Sequence, residues 1–134
     1  MTLDAEEERL LSDPRLQEAI DLFNGEEWYA CHDRLEELWH ETAGPMRPVL
    51  QGILQIAVAQ LHHANGNRRG ATVLTGEGLG RLRTAGGVAL GLNLSALRSS
   101  AGQWLQALQA DEVPTTLAPP ALVGASTEDD WPRQ

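Results

Sequence analysis

Lysine is absent from this 134-residue chain: its ten basic residues are all arginine, set against nineteen acidic ones, for a formal net charge of -9. A chain so acidic gains little from counterion release, which excludes nucleic-acid binding as a primary role. An anionic membrane surface repels it for the same reason. Cysteine is nearly absent too. Cys31 stands alone, so no intramolecular disulfide forms, and its place on an apolar helical stripe points to a buried, inert thiol. No apolar run approaches the ~20 residues that span a bilayer. Met1-Thr2-Leu3-Asp4-Ala5-Glu6-Glu7-Glu8 lacks the basic and apolar regions of a signal peptide, so the expected compartment is cytoplasmic. Phe and Tyr occur once each beside four Trp; large packing anchors are few and matter individually.

Helical periodicity fills the rest. A short helix fits Asp4–Leu11. Ser12-Asp13-Pro14 then supplies a cap and an early proline, followed by Leu16, Ala19, Ile20 and Phe23 at helical spacing. Asn24-Gly25 ends that segment. Glu26–Thr42 puts Trp28, Cys31, Leu35, Leu38 and Trp39 on one stripe, and Gly44-Pro45 stops it. The most apolar segment runs from about Met46 to Ala64. Asn67 caps another to about Ala85, which four glycines weaken by roughly 0.5–1 kcal/mol each; that cost is tolerable where glycine lets a neighbouring helix come close. Asn93 or Ser95 caps a last helix to about Ala110, with Leu97, Ala101, Trp104, Leu105 and Leu108 inward. No segment shows the alternation of a strand. The expected fold is all-α, a compact bundle of about five helices around a central antiparallel hairpin. It occupies residues 1–112, with 113–134 as a Pro-rich acidic tail, extended or disordered.

The polar residues on these helices form a pattern. His32 falls inside the apolar face of its helix, with Glu36 at its border one turn on and His40 beyond. The following helix is apolar around much of its circumference but carries one polar stripe of Arg47, Gln51, Gln55 and His62. The short Gly44-Pro45 connection makes the two helices antiparallel. His32 lies twelve residues before Gly44 and Gln55 eleven after it, so the two are level, as are Glu36 and Gln51. Arg47 closes the layer near the turn.

These residues also carry a resemblance. "FNGEEWYACHDRLEELW" followed by "RPVLQGILQIAVAQLHHANGNRRGA" resembles the family catalogued as domain of unknown function 309. The resemblance rests on Phe23, Asn24, His32, Glu36, Trp39, Arg47, Gln51, Gly52, Gln55, His62, Gly66, Asn67, Gly70 and Ala71, within about Phe23–Leu82. Asp33 departs from the Glu usual there. The resemblance implies a small all-helical cytosolic protein and brings no activity with it.

Three chemistries fit the polar residues. The first is a divalent metal site: His32 and Glu36 are spaced for co-ligation, His40 and His62 add nitrogen, and Glu77 is available from a third helix. Glu37-Leu38-Trp39-His40 spells the Glu-x-x-His unit of di-iron bundles, but those need two such units. His62 stands roughly 13 Å from His32 in the antiparallel arrangement, too far to share a metal comfortably. The second is a His32–Glu36 general base. No nucleophile accompanies it, since Cys31 points about 100° away around the helix. The third is a structural polar layer of His32, Glu36, Gln51 and Gln55 that fixes helix register; it is the simplest of the three and needs no cofactor. Asn67-Arg68-Arg69-Gly70 offers an anion two guanidiniums at a helix start, although solvated arginines are the plainer reading.

The resulting expectation is a binding or interaction module for an unidentified small molecule or protein. The alternative is a metal-dependent or acid–base enzyme using His32 and Glu36, with Arg47, Gln51, Gln55 and His62 positioning a polar small molecule. A structural layer should be closed around His32, whereas a site needs an opening. Trp104, Leu105 and Leu108, or the tail around Trp131, would supply the apolar patch of a homo-oligomer.

Overall fold

The computed structural model describes residues 4–125, so the apolar patch expected around Trp131 lies outside the described residues. The all-α reading holds: among the described residues six helices form, α1 (Ala5–Leu11), α2 (Pro14–Asn24), α3 (Trp28–His40), α4 (Met46–Ala64), α5 (Arg68–Leu82) and α6 (Leu94–Gln109). Local chemistry sets most of their starts. Asp4, Asp13, Asn67 and Asn93 each accept a hydrogen bond from a backbone N–H in the first turn of the helix they precede, which satisfies groups that would otherwise be orphaned. Among the described residues no helix is long and apolar enough to cross a membrane.

Helix α4 is the centre. It packs against α3 on one side and α5 on the other, while α2 leans on α3 and α6 on α5. Phe23, Cys31, Leu35, Leu38, Leu50, Ile53, Ile56, Leu82, Leu94 and Leu97 form the core, all essentially inaccessible. The ring of Trp28 meets Phe23 edge-on at 5.0 Å, a favoured aromatic geometry. Cys31 is buried and its Sγ contacts the carbonyl of Ala19 at 3.4 Å. Burial pushes its thiol up to about 12, so it is inert at neutral pH.

The close approach of α4 and α5 depends on two facing glycines. A Cβ on Gly52 would stand 3.0 Å from the carbonyl oxygen of Gly78, and a Cβ on Gly78 would stand 2.9 Å from that of Gly52. By contrast, Gly76 and Gly80 face open space.

One expectation is corrected here. A short antiparallel hairpin, β1 (Val88–Ala89) and β2 (Leu92–Asn93), joins α5 to α6 where no strand was expected. Its turn places Leu90 and Gly91 at φ of 54° and 70°, the left-handed pair that matches the twist of a two-residue hairpin loop. Two-residue strands are too short to display alternation.

Residues beyond α6 fold back as an extended strap. Val113 and Leu117 pack against Trp104 and Leu108, and Trp104 Nε1 donates to the Ala118 carbonyl at 2.8 Å. This corrects the open apolar patch expected at Trp104 and Leu108, because both are buried within the chain itself. Further on, Leu122 is buried, and the Asn24 side chain holds its backbone in both senses, Oδ1 accepting from Leu122 N–H at 2.7 Å and Nδ2 donating to Leu122 O at 2.9 Å. Asn93 N–H donates to Val123 O and Ala125 N–H to Gly91 O, each at 2.8 Å, so the strap lies beside β2. Asn24→Ala should therefore cost about 1–2 kcal/mol through two lost hydrogen bonds. Amide exchange should speed up mainly from Ala118 to Ala125. A uniform increase across α2–α5 would mean that the strap is not a separate unit.

Candidate functional site

The polar residues singled out by their spacing come together only in part. Gln51, Leu54, Gln55 and Val58 repeat at intervals of three and four along one face of α4. His32 and Trp39 lie two turns apart on α3, and Leu74 comes from α5. These seven residues line one open cavity of about 260 Å³. Its walls are mainly the Trp39 ring, Leu54, Val58 and Leu74, so it is an apolar recess with a few polar groups, the usual make-up of a small-molecule site. The close α4–α5 crossing brings Leu74 within reach of α4.

Gln55 is the buried polar residue of this recess, 9 % exposed. Its Nε2 donates to Glu77 Oε2 at 3.3 Å, whereas its Oε1 has no hydrogen-bond partner among the described residues. Trp39 Nε1 is buried and unpartnered in the same sense. A buried polar group without a partner costs about 1–3 kcal/mol, and these two belong to residues lining one cavity. Gln51 is half-buried beside them.

His32 sits at the lip, 30 % exposed. Its Nε2 is 2.9 Å from Glu36 Oε2 and its Nδ1 3.3 Å from Asp33 Oδ1. Both ring nitrogens are thus directed at carboxylates of its own helix, and neither is presented to the cavity. The other oxygen of Glu36 faces His40 Nε2 at 3.7 Å. Glu36 is 45 % exposed and does not line the recess, so the closed layer of His32, Glu36, Gln51 and Gln55 is replaced by an opening. Among the described residues no three His, Cys, Asp or Glu side chains are grouped to hold a metal.

The remaining candidates have other partners. Arg47 Nη1 donates to the carbonyls of Trp39 at 2.9 Å and Thr42 at 3.0 Å, and its guanidinium lies 4.0 Å over the Trp39 ring. It closes the C-terminal end of α3 and backs the tryptophan from outside the cavity lining. His62 lies at the α4–α5 turn, its Nδ1 accepting from Asn67 Nδ2 at 3.2 Å, and is not part of the recess. Arg68 is drawn to Leu108 O at 3.2 Å and Asp111 at 3.0 Å, while Asn67 Oδ1 occupies the Gly70 N–H; that corner is built as a cap. Sequence reasoning placed Trp39 on the apolar stripe and missed it as a site residue, although its position seven residues after His32 puts both on one face. Leu54, Val58 and Leu74 are apolar helix residues that no signal in the sequence separates from the core.

No curated protein matches the chain. Residues 16–74 match the model of a family described as "Domain of unknown function (DUF309)", a span that contains every residue lining the recess.

Proposed function

We propose that this protein is a cytoplasmic binding module for a small, largely apolar molecule held between α3, α4 and α5. The observation that carries this reading is the open recess beside His32, where a register-fixing polar layer would leave packed side chains. Its volume of about 260 Å³ has room for roughly nine waters at ~30 Å³ each, so the ligand has one or two rings rather than a chain of them. Binding is favoured over proton transfer because both nitrogens of His32 are engaged by Glu36 and Asp33. A general base needs a nitrogen within reach of the proton it takes.

A fragment panel read by protein-observed NMR tests this. Ring-sized fragments at millimolar concentration should shift the signals of Trp39, Gln51, Gln55 and Leu74 together. Val58→Trp, which fills the recess, should remove that response at least tenfold while circular dichroism still reports a folded helical protein. Fragments that leave these four residues unmoved, or that bind equally well to the filled variant, would sink the reading.

A further inference from the structure

The hydrogen-bonding groups of the recess narrow the class of ligand, an inference that rests on the binding reading above. Gln55 can use only its oxygen, since its nitrogen is committed to Glu77; it therefore asks the ligand for a donor. Trp39 Nε1–H is a donor only and asks for an acceptor. Both atoms are buried and unpartnered among the described residues. Gln51, with a carboxamide of its own, can serve either sense.

The charged groups around the recess are all turned to other partners. Arg47 is held by two carbonyls and the Trp39 ring face. Glu36 lies between His32 and His40, Asp33 faces His32 and Glu77 accepts from Gln55. An anionic ligand would find no free cation in the lining, and the chain's net charge of -9 repels it. A cationic ligand would give up hydration for neutral walls of Leu54, Val58 and Leu74, a poor exchange in an apolar recess.

We infer that the site takes a neutral, planar cyclic amide, the lactam-type edge in which a ring N–H stands next to a C=O. Such an edge gives Gln55 Oε1 its donor and Trp39 Nε1–H its acceptor, while the ring packs on the tryptophan and the aliphatic walls. Reaching the two buried atoms requires a shift of the indole edge and a small movement of the Gln55 side chain that keeps its Nε2 on Glu77, and satisfying both groups offsets that movement. Purely apolar packing would leave them unsatisfied.

The full chain is titrated with 2-pyridone, N-methyl-2-pyridone, toluene, benzoate and benzylammonium, following the Trp39 indole N–H by NMR after assigning it with Trp39→Phe. The expected result is a Kd for 2-pyridone at least tenfold below those of the other four, with a downfield shift of the Trp39 N–H, and loss of that preference in Gln55→Leu. Toluene or N-methyl-2-pyridone binding as tightly at the same residues overturns the cyclic-amide inference and leaves the binding reading standing. A charged probe binding best overturns it as well. A free-protein Trp39 N–H already bonded to Gln55, seen as an upfield move in Gln55→Leu without any ligand, also overturns it, because the two groups then satisfy each other. Failure of all five probes to move Trp39, Gln51, Gln55 or Leu74 overturns both readings.

Discussion

Gly78→Ala should lower the unfolding free energy by about 2 kcal/mol, the net of overpacking at ~1–3 kcal/mol or somewhat more and a helix-propensity gain of ~1 kcal/mol. Overpacking wins because of what the new methyl group meets. It would stand 2.9 Å from the Gly52 carbonyl oxygen and 2.9 Å from Ile56 Cγ1. One is backbone and the other a β-branched core side chain, so neither can step aside and α5 has to move away from α4. Gly76→Ala and Gly80→Ala are the controls, on the same helix with nothing near the added methyl. Each should raise stability by roughly 0.5–1 kcal/mol through propensity alone. Urea denaturation of the three variants reads the contrast directly. Three changes of the same sign would mean that the crossing of α4 and α5 is not set by the glycine pair.

The same helix shows what a sequence can and cannot tell. Four glycines in α5 weaken it wherever they stand, and composition alone does not say which of them touch a neighbour. Only Gly78 is placed to meet Gly52. Caps and periodicity were legible because they act within one or two turns: Asp13, Asn67 and Asn93 bind N–H groups two or three residues away. The hairpin at residues 88–93 was not, because its strands are two residues each and Gly86-Gly87 reads as a simple break. The strap is held by Asn24, 98 residues from Leu122 in the chain. A pairing of that range leaves no local pattern.

The candidate site divides along the same line. Level placement of His32 and Gln55 follows from a short turn and a fixed rise per residue, and the two do line one cavity. Glu36 was expected in that layer because it borders the apolar stripe. A border residue one turn from His32 can instead bond to it across the helix surface, as it does at 2.9 Å, and stay in water. Whether the space between α3 and α4 is filled or open depends on how far α5 closes over it. That is a tertiary quantity, and no single-helix periodicity contains it.

Arg47→Ala should cost about 2–3 kcal/mol, given charge-assisted hydrogen bonds at ~1.5–3 kcal/mol and a cation–π contact at ~0.5–1 kcal/mol, discounted for the arginine's partial exposure. The C-terminal carbonyls of a helix have no partner within it, and Arg47 reaches back from the first turn of α4 to bind that of Trp39 in the last turn of α3 and that of Thr42 just past it. Arg47→Lys should recover less than half of the loss. An ammonium cannot both serve two carbonyls and lie flat on an indole, whereas a guanidinium does so with its edge and its face. Urea denaturation of the two variants and the Trp39 indole signal separate two roles for this arginine. Loss of stability with a displaced Trp39 signal in both variants makes Arg47 the support that holds the tryptophan against the recess. Unchanged stability in Arg47→Ala, together with lost binding of 2-pyridone, would move the arginine from the frame of the site to its ligand and reverse the assignment of a neutral lining.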